Sequence, residues 1–105
     1  KEIYRNIDKI KIIRASSPLN GKNIWLEVYP ENVSKGMAAK FLCDYLNIDY
    51  IKTVGIGNDY NDIDLLDFTA ESYLVENSPE ILKSKYKVTK SNDDNGFSEV
   101  AINYL

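Results

Sequence analysis

The chain has 105 residues with 44% hydrophobic and 28% charged side chains, enough for one soluble domain at most, or a piece of one. The complete lack of histidine excludes a Ser-His-Asp triad, a histidine general base and an ordinary catalytic zinc site. The net charge of −3 argues against a nucleic-acid partner, and the single cysteine, Cys43, excludes an internal disulfide.

No apolar run is long enough to span a membrane, so no membrane partner is expected. The start, Lys1 to Asn6, is charged and lacks the apolar stretch of a signal peptide, which makes a cytoplasmic location the expectation. It also lacks an initiator methionine and reads as beginning partway through a longer protein.

Residues 9–16 place Ile10, Ile12 and Ile13 close to alternation and predict a strand. The turn chemistry of residues 17–22, strongest at Asn20-Gly21, precedes a second strand over 23–29. The two read as an antiparallel hairpin. Pro30 breaks the pattern, and Ser34 is a candidate N-cap for a helix over 35–46 with Met37, Phe41, Leu42 and Tyr45 at helical spacing. Asn47 stops it.

Residues 49–57 predict a strand, its β-branched stretch from Thr53 to Ile56 buried. Gly55 and Gly57 allow a sharp turn or a close approach. A helix is expected over 61–68 and a strand over 72–75. Pro79 opens a further helix, a last strand covers 86–89, and a last helix over 97–105 carries Val100, Ala101, Tyr104 and Leu105 on one face. This alternation predicts an α/β fold with a parallel sheet and crossover helices. It supplies only three strands and leaves apolar faces and edges open, so the chain reads as half of a larger domain.

The oxygen-rich loop with Asn58, Asp59, Asn61, Asp62 and Asp64 follows the strand directly, where a parallel α/β protein places a site. Such side chains serve as turn and helix caps or as ligands for Mg²⁺, a hard cation that keeps water and substrate phosphate in its shell. The spacing excludes a calcium EF-hand, since the sixth position from Asp59 is Asp64 rather than glycine. Asp62 and Asp64 form a nominal Asp-x-Asp, but on a helix their side chains point about 200° apart, which excludes a nucleophile pair. Lys35 in a first helical turn is either an exposed cation or the holder of an anion bound at the helix N-terminus. Asn32-Val33-Ser34 matches a glycosylation sequon, with nothing to indicate secretion.

Four stretches follow one another in a characteristic order: Ser34-Lys35-Gly36, residues 57–66, residues 76–80 and residues 89–96. Together they resemble the C-terminal half of haloacid dehalogenase-type phosphatases of the Cof-type branch, over roughly residues 22–105. The resemblance implies a Rossmann-like three-layer parallel sheet over residues 30–105. It makes residues 1–29 the end of an α+β cap, a short hairpin remnant. It implies that Lys35 is catalytic, binding the phosphate and stabilising a phospho-aspartate, and that Asn61 also binds the phosphate. Asp62 matches the acid beside it, and Asn77 a recurring asparagine of structural role. The second loop position, an Mg²⁺-binding aspartate in the family, is Asn58 here. Either Asn58 is a neutral ligand or Asp59 has taken over, which makes Asn58, Asp59 and Asp62 the candidate metal residues. The expected whole protein is a Mg²⁺-dependent phosphatase acting on small phosphorylated metabolites, sugar phosphates foremost. Its nucleophile lies in a missing N-terminal half, so this chain alone is expected to be inactive. The alternative is a non-catalytic α/β binding module or pseudo-phosphatase, in which the acidic loop only caps.

Overall fold

The computed structural model describes residues 9–17, 19 and 22–105. Strands β1 (Ile10–Ser16) and β2 (Ile24–Pro30) pair antiparallel from Ile10↔Pro30 to Ser16↔Ile24, so the predicted hairpin forms. Its Asn20-Gly21 turn lies outside the described residues. Helix α1 (Lys35–Leu46) follows, then β3 (Val54–Gly57), α2 (Ile63–Phe68), β4 (Glu71–Val75), β5 (Lys87–Thr89) and α3 (Gly96–Ile102). The sheet β3-β4-β5 is parallel throughout, with Gly57 level with Leu74 and Val75 level with Thr89.

The ends of α1 follow from its caps. Ser34 Oγ accepts from the Met37 amide at 3.0 Å, satisfying a donor that the first turn leaves open. Asn47 adopts the left-handed conformation (φ 54°) and returns its amide to the Asp44 and Cys43 carbonyls.

Three expectations need correction. The strand predicted over 49–57 begins only at Val54, because the Asp49 carboxylate accepts from Ile51 N at 3.2 Å and winds residues 50–52 into a 3-10 turn. The helix expected from Pro79 is a single 3-10 turn, Glu80–Leu82. Only Leu82 reaches the core there while Ile81 stays exposed, so nothing rewards a second turn before β5. The last helix ends at Ile102, leaving Tyr104 and Leu105 exposed, and the Tyr104 hydroxyl instead meets that of Tyr73 at 2.9 Å. Val100 is buried.

The core is small: Leu66, Leu74 and Leu82, flanked by Tyr60, Ile63 and Tyr86. It joins α2 to the sheet and so holds the residues after β3 in place. The apolar residues of α1 lie outside it, with Phe41 65% and Tyr45 77% exposed and their rings stacked at 6.1 Å on the surface. Covering side chains of this size contributes about 1.5–3 kcal/mol each, so this face is a strong candidate for burial against another structural unit. No helix among the described residues is long and apolar enough to cross a membrane.

Helix α3 is tied to β5 through Glu99, whose Oε2 accepts from Thr89 Oγ1 at 2.9 Å and from Lys90 N at 3.2 Å. The Thr89 hydrogen bond first, and the Lys90 amide second, lower the Glu99 pKa below its ordinary value of 4.5. A depressed carboxyl contributes stability above its unfolded pKa and loses it as pH falls through the folded one. The amide-exchange protection factors of α3, corrected for the intrinsic pH dependence of exchange, should therefore fall below about pH 4.5, the ordinary Glu99 value. The Glu99→Gln variant should lack that acid-dependent step, and an identical pH profile in the variant would refute the tether.

Candidate active site at the end of strand β3

The loop leaves β3 at Gly57 and turns at once into a 3-10 turn, Tyr60–Asp62, that feeds α2. The turn is built by its own acids. Asp62 Oδ2 accepts from Asn58 N at 2.9 Å and Asp59 N at 3.3 Å, while Asp59 Oδ1 accepts from Tyr60 N at 2.7 Å. Both carboxylates are buried. Gly57 serves here by close approach, since a Cβ on it would stand 2.7 Å from Asp62 Cβ.

The second oxygen of Asp62 turns outward and meets Lys35 Nζ at 2.5 Å. The pair is asymmetric, with the Asp62 side chain 5% exposed and that of Lys35 52%. The buried acid thus fixes the base of an ammonium whose remaining donors reach solvent. Part of the anion that offsets a cation at the start of α1 is therefore the chain's own. Gly36 makes the meeting possible, because a Cβ there would lie 2.6 Å from the Asp64 carbonyl oxygen, so α1 rests directly on the α2 backbone. Asp64 points elsewhere, its Oδ2 at 3.9 Å from Lys11 Nζ, in keeping with its exclusion as a nucleophile partner.

Asn61 lies beside Lys35 in the lining of a cleft of about 410 Å³ between the hairpin and the start of α1. Ser34, Ile13, Glu27 and Tyr29 also line it. The structure thus brings Lys35, Asn61 and, through Lys35, Asp62 together. Asn58 is exposed next to them and does not line the cleft. Asp59 turns the other way, its Oδ2 accepting from Ser16 N at 2.6 Å. This bond hooks the end of β1 to the loop, and the Arg14 guanidinium over the Tyr60 ring at 4.6 Å reinforces it.

The donor set bears on a metal directly. Among the described residues no group of three or more cysteine or acidic side chains is placed to hold an ion. All four carboxylate oxygens of Asp59 and Asp62 already accept from protein donors. Of the oxygen-bearing side chains of this loop, Asn58 is the exposed one. The described residues do not form a complete metal site.

The chain that carries this arrangement has matches in sequence. Residues 1–100 fit the haloacid dehalogenase-like hydrolase family along almost the whole chain. The chain belongs to that family. This haloacid dehalogenase-like chain is 39% identical over 90 residues to a Streptococcus pyogenes serotype M6 protein provisionally named a phosphatase, covering 85% of the chain and 31% of the relative. It is 36% identical over 87 residues to 5-amino-6-(5-phospho-D-ribitylamino)uracil phosphatase of Bacillus subtilis, covering 82% and 29%. A solved haloacid dehalogenase-like hydrolase from B. subtilis superposes with a TM-score of 0.80 at 25% identity, over 99% of this chain and 35% of that one. The chain spans about a third of the length of these relatives.

Sequence reasoning did not single out Glu27, Tyr29 or the Ser16–Asp59 contact. A glutamate and a tyrosine two apart in an apolar strand were a visible signal for the first two. A backbone amide reaching across 43 positions leaves none.

Proposed function

We propose that the chain is the C-terminal portion of a phosphatase that hydrolyses small phosphorylated metabolites through a phospho-aspartate. The observation that carries this reading is Lys35, held by buried Asp62 beside Asn61 at the mouth of a cleft, in a chain of this family. Lys35 places positive charge where phosphate oxygens gather, and Asn61 adds an amide donor at the same lip. Asp62 orients the ammonium before substrate arrives, so little reorganisation is left for the reaction. The nucleophilic aspartate belongs to the remaining part of the protein, since the chain's own Asp-x-Asp does not converge. That part also covers the bare face of α1 and the free edge of β3.

Mg²⁺ would neutralise developing charge on the transferred phosphoryl group. We assign its contact in this chain to Asn58, whose exposed side chain borders the loop, while Asp59 serves as the hook for β1. A sugar-phosphate substrate is in keeping with a fold neighbour described as a sugar phosphatase.

The test is steady-state turnover of a panel of phosphomonoesters by the whole protein across an Mg²⁺ titration. Turnover is expected, with Asn58→Asp reaching half-maximal rate at lower Mg²⁺ because ligand charge tunes affinity. The 105-residue chain by itself should be inactive. The neutral Asn58 favours one rival, a non-catalytic binding module, and a whole protein that turns over nothing would establish it.

A further inference from the structure

Among the described residues, β1 has a strand partner on one edge only. Ser17 donates its amide across the ladder to the Asn23 carbonyl at 2.9 Å. Alternation along an antiparallel strand therefore turns the Ser16 amide to the other edge, where it meets Asp59 Oδ2 at 2.6 Å. Two further contacts join the strand to the same segment. The Arg14 guanidinium stacks over the Tyr60 ring, and Lys11 Nζ lies 3.9 Å from Asp64 Oδ2.

Asp59 is buried, and each of its oxygens accepts from a backbone amide, Oδ1 from Tyr60 N and Oδ2 from Ser16 N. A carboxylate taken out of water is stable only where donors replace the water it has lost. One of these donors belongs to the turn itself and the other to β1. The turn is thus fully supported only while the strand is seated. Inward from Asp59 the bonds continue to the lysine. The Asp59 amide donates to Asp62 Oδ2 at 3.3 Å, and Asp62 Oδ1 holds Lys35 Nζ at 2.5 Å.

Resting on the phosphatase reading, we propose that Asp59 is a positioning residue that couples the seating of β1 to the aim of Lys35. It touches neither the phosphate nor the metal ion. Released from β1, it holds the turn less firmly, its amide slips from Asp62, and Asp62 no longer fixes the ammonium. The chemical step then depends on a backbone amide 43 positions away from the carboxylate that receives it.

A claim of coupling needs a double-mutant cycle. The experiment measures kcat, KM and the Mg²⁺ concentration for half-maximal rate on p-nitrophenyl phosphate, using the whole protein. Ser16→Pro removes the donor at a free strand edge, where proline is tolerated. Asp59→Ser keeps a capping oxygen for the turn but is too short to reach β1. A misplacement of about 1 Å costs up to about 10²-fold in rate. Each single variant should therefore lower kcat by about tenfold with KM little changed, and the double variant should lose no more than either. Arg14→Gln loosens the same strand with its amides intact and should lower kcat by a smaller factor, which keeps the test open if the proline variant does not fold.

Wild-type kcat in folded Ser16→Pro, or in Arg14→Gln where the proline variant is unfolded, would overturn the coupling. So would losses that simply multiply in the double variant. A higher Mg²⁺ requirement in Asp59→Ser that Ser16→Pro lacks would make Asp59 a metal ligand instead. Wild-type protein without turnover would remove the phosphatase reading and the coupling with it, a failure distinct from the other three.

Discussion

In the whole protein, Lys35→Ala should lower kcat/KM toward phosphomonoesters by about 10²- to 10³-fold, the usual loss when one preorganised donor to a developing oxyanion is removed. The fold should scarcely register the change. The Lys35 side chain is half-exposed, and an ion pair so open to solvent contributes no more than about 1 kcal/mol. Its partner Asp62 keeps two backbone donors after the substitution. Activity and stability should therefore separate, and that separation distinguishes a phosphate-holding lysine from a structural one. Lys35→Arg should recover only part of the rate, because a planar fork cannot reproduce a point charge seated 2.5 Å from Asp62 Oδ1. Steady-state kinetics beside thermal unfolding of the same preparations check this. A Lys35→Ala protein within threefold of wild-type activity would end the case for a catalytic role.

Asp62→Ala should show the opposite balance, with stability falling as well as activity. The substitution leaves the buried amide of Asp59 and the part-buried amide of Asn58 without their acceptor. A buried donor left unpaired costs about 1–3 kcal/mol, so the loss should be roughly 3 kcal/mol by chemical denaturation. Asp62→Asn retains an acceptor oxygen and the side-chain volume and should lose about half as much. Both variants should impair turnover, because Lys35 loses the group that aims it. An Asp62→Ala protein as stable as wild type would show that the loop does not depend on this carboxylate.

Each prediction turns on how a short-range signal meets a long-range contact. Where two neighbours in the chain satisfy each other, the sequence was legible. Ser34 and Asn47 bound α1 because a hydroxyl acceptor and a left-handed asparagine close the open groups of a helix within its own turns. The antiparallel hairpin and the parallel order of β3, β4 and β5 were legible from residue spacing. Where a segment's conformation depended on finding something to pack against, the reading failed. Pro79 is a sound helix start, yet with Ile81 exposed only Leu82 anchors that segment, and one turn is all that forms. Tyr104 sits at helical spacing from Val100, but the tyrosine across from it on β4 holds it outside the helix.

The candidate site divides along the same line. Lys35, Asn61 and Asp62 were legible because their residue types, their spacing and the glycines beside them form a local pattern. What the pattern left open was the use of each oxygen. Asp59 and Asp62 differ by three positions and have the same chemistry, yet one ties down the hairpin and the other aims the lysine.

By itself, then, the sequence determined the family, the alternation of strands and helices, and the grouping of Lys35, Asn61 and Asp62, because these depend on neighbours within one or two turns. Only the tertiary structure decided that β1 hooks onto the loop through Ser16 and that Glu27 and Tyr29 of β2 wall the cleft. Those outcomes rest on contacts between elements tens of residues apart. Whether such a contact forms is decided by the shape of the packed whole, which no local spacing encodes.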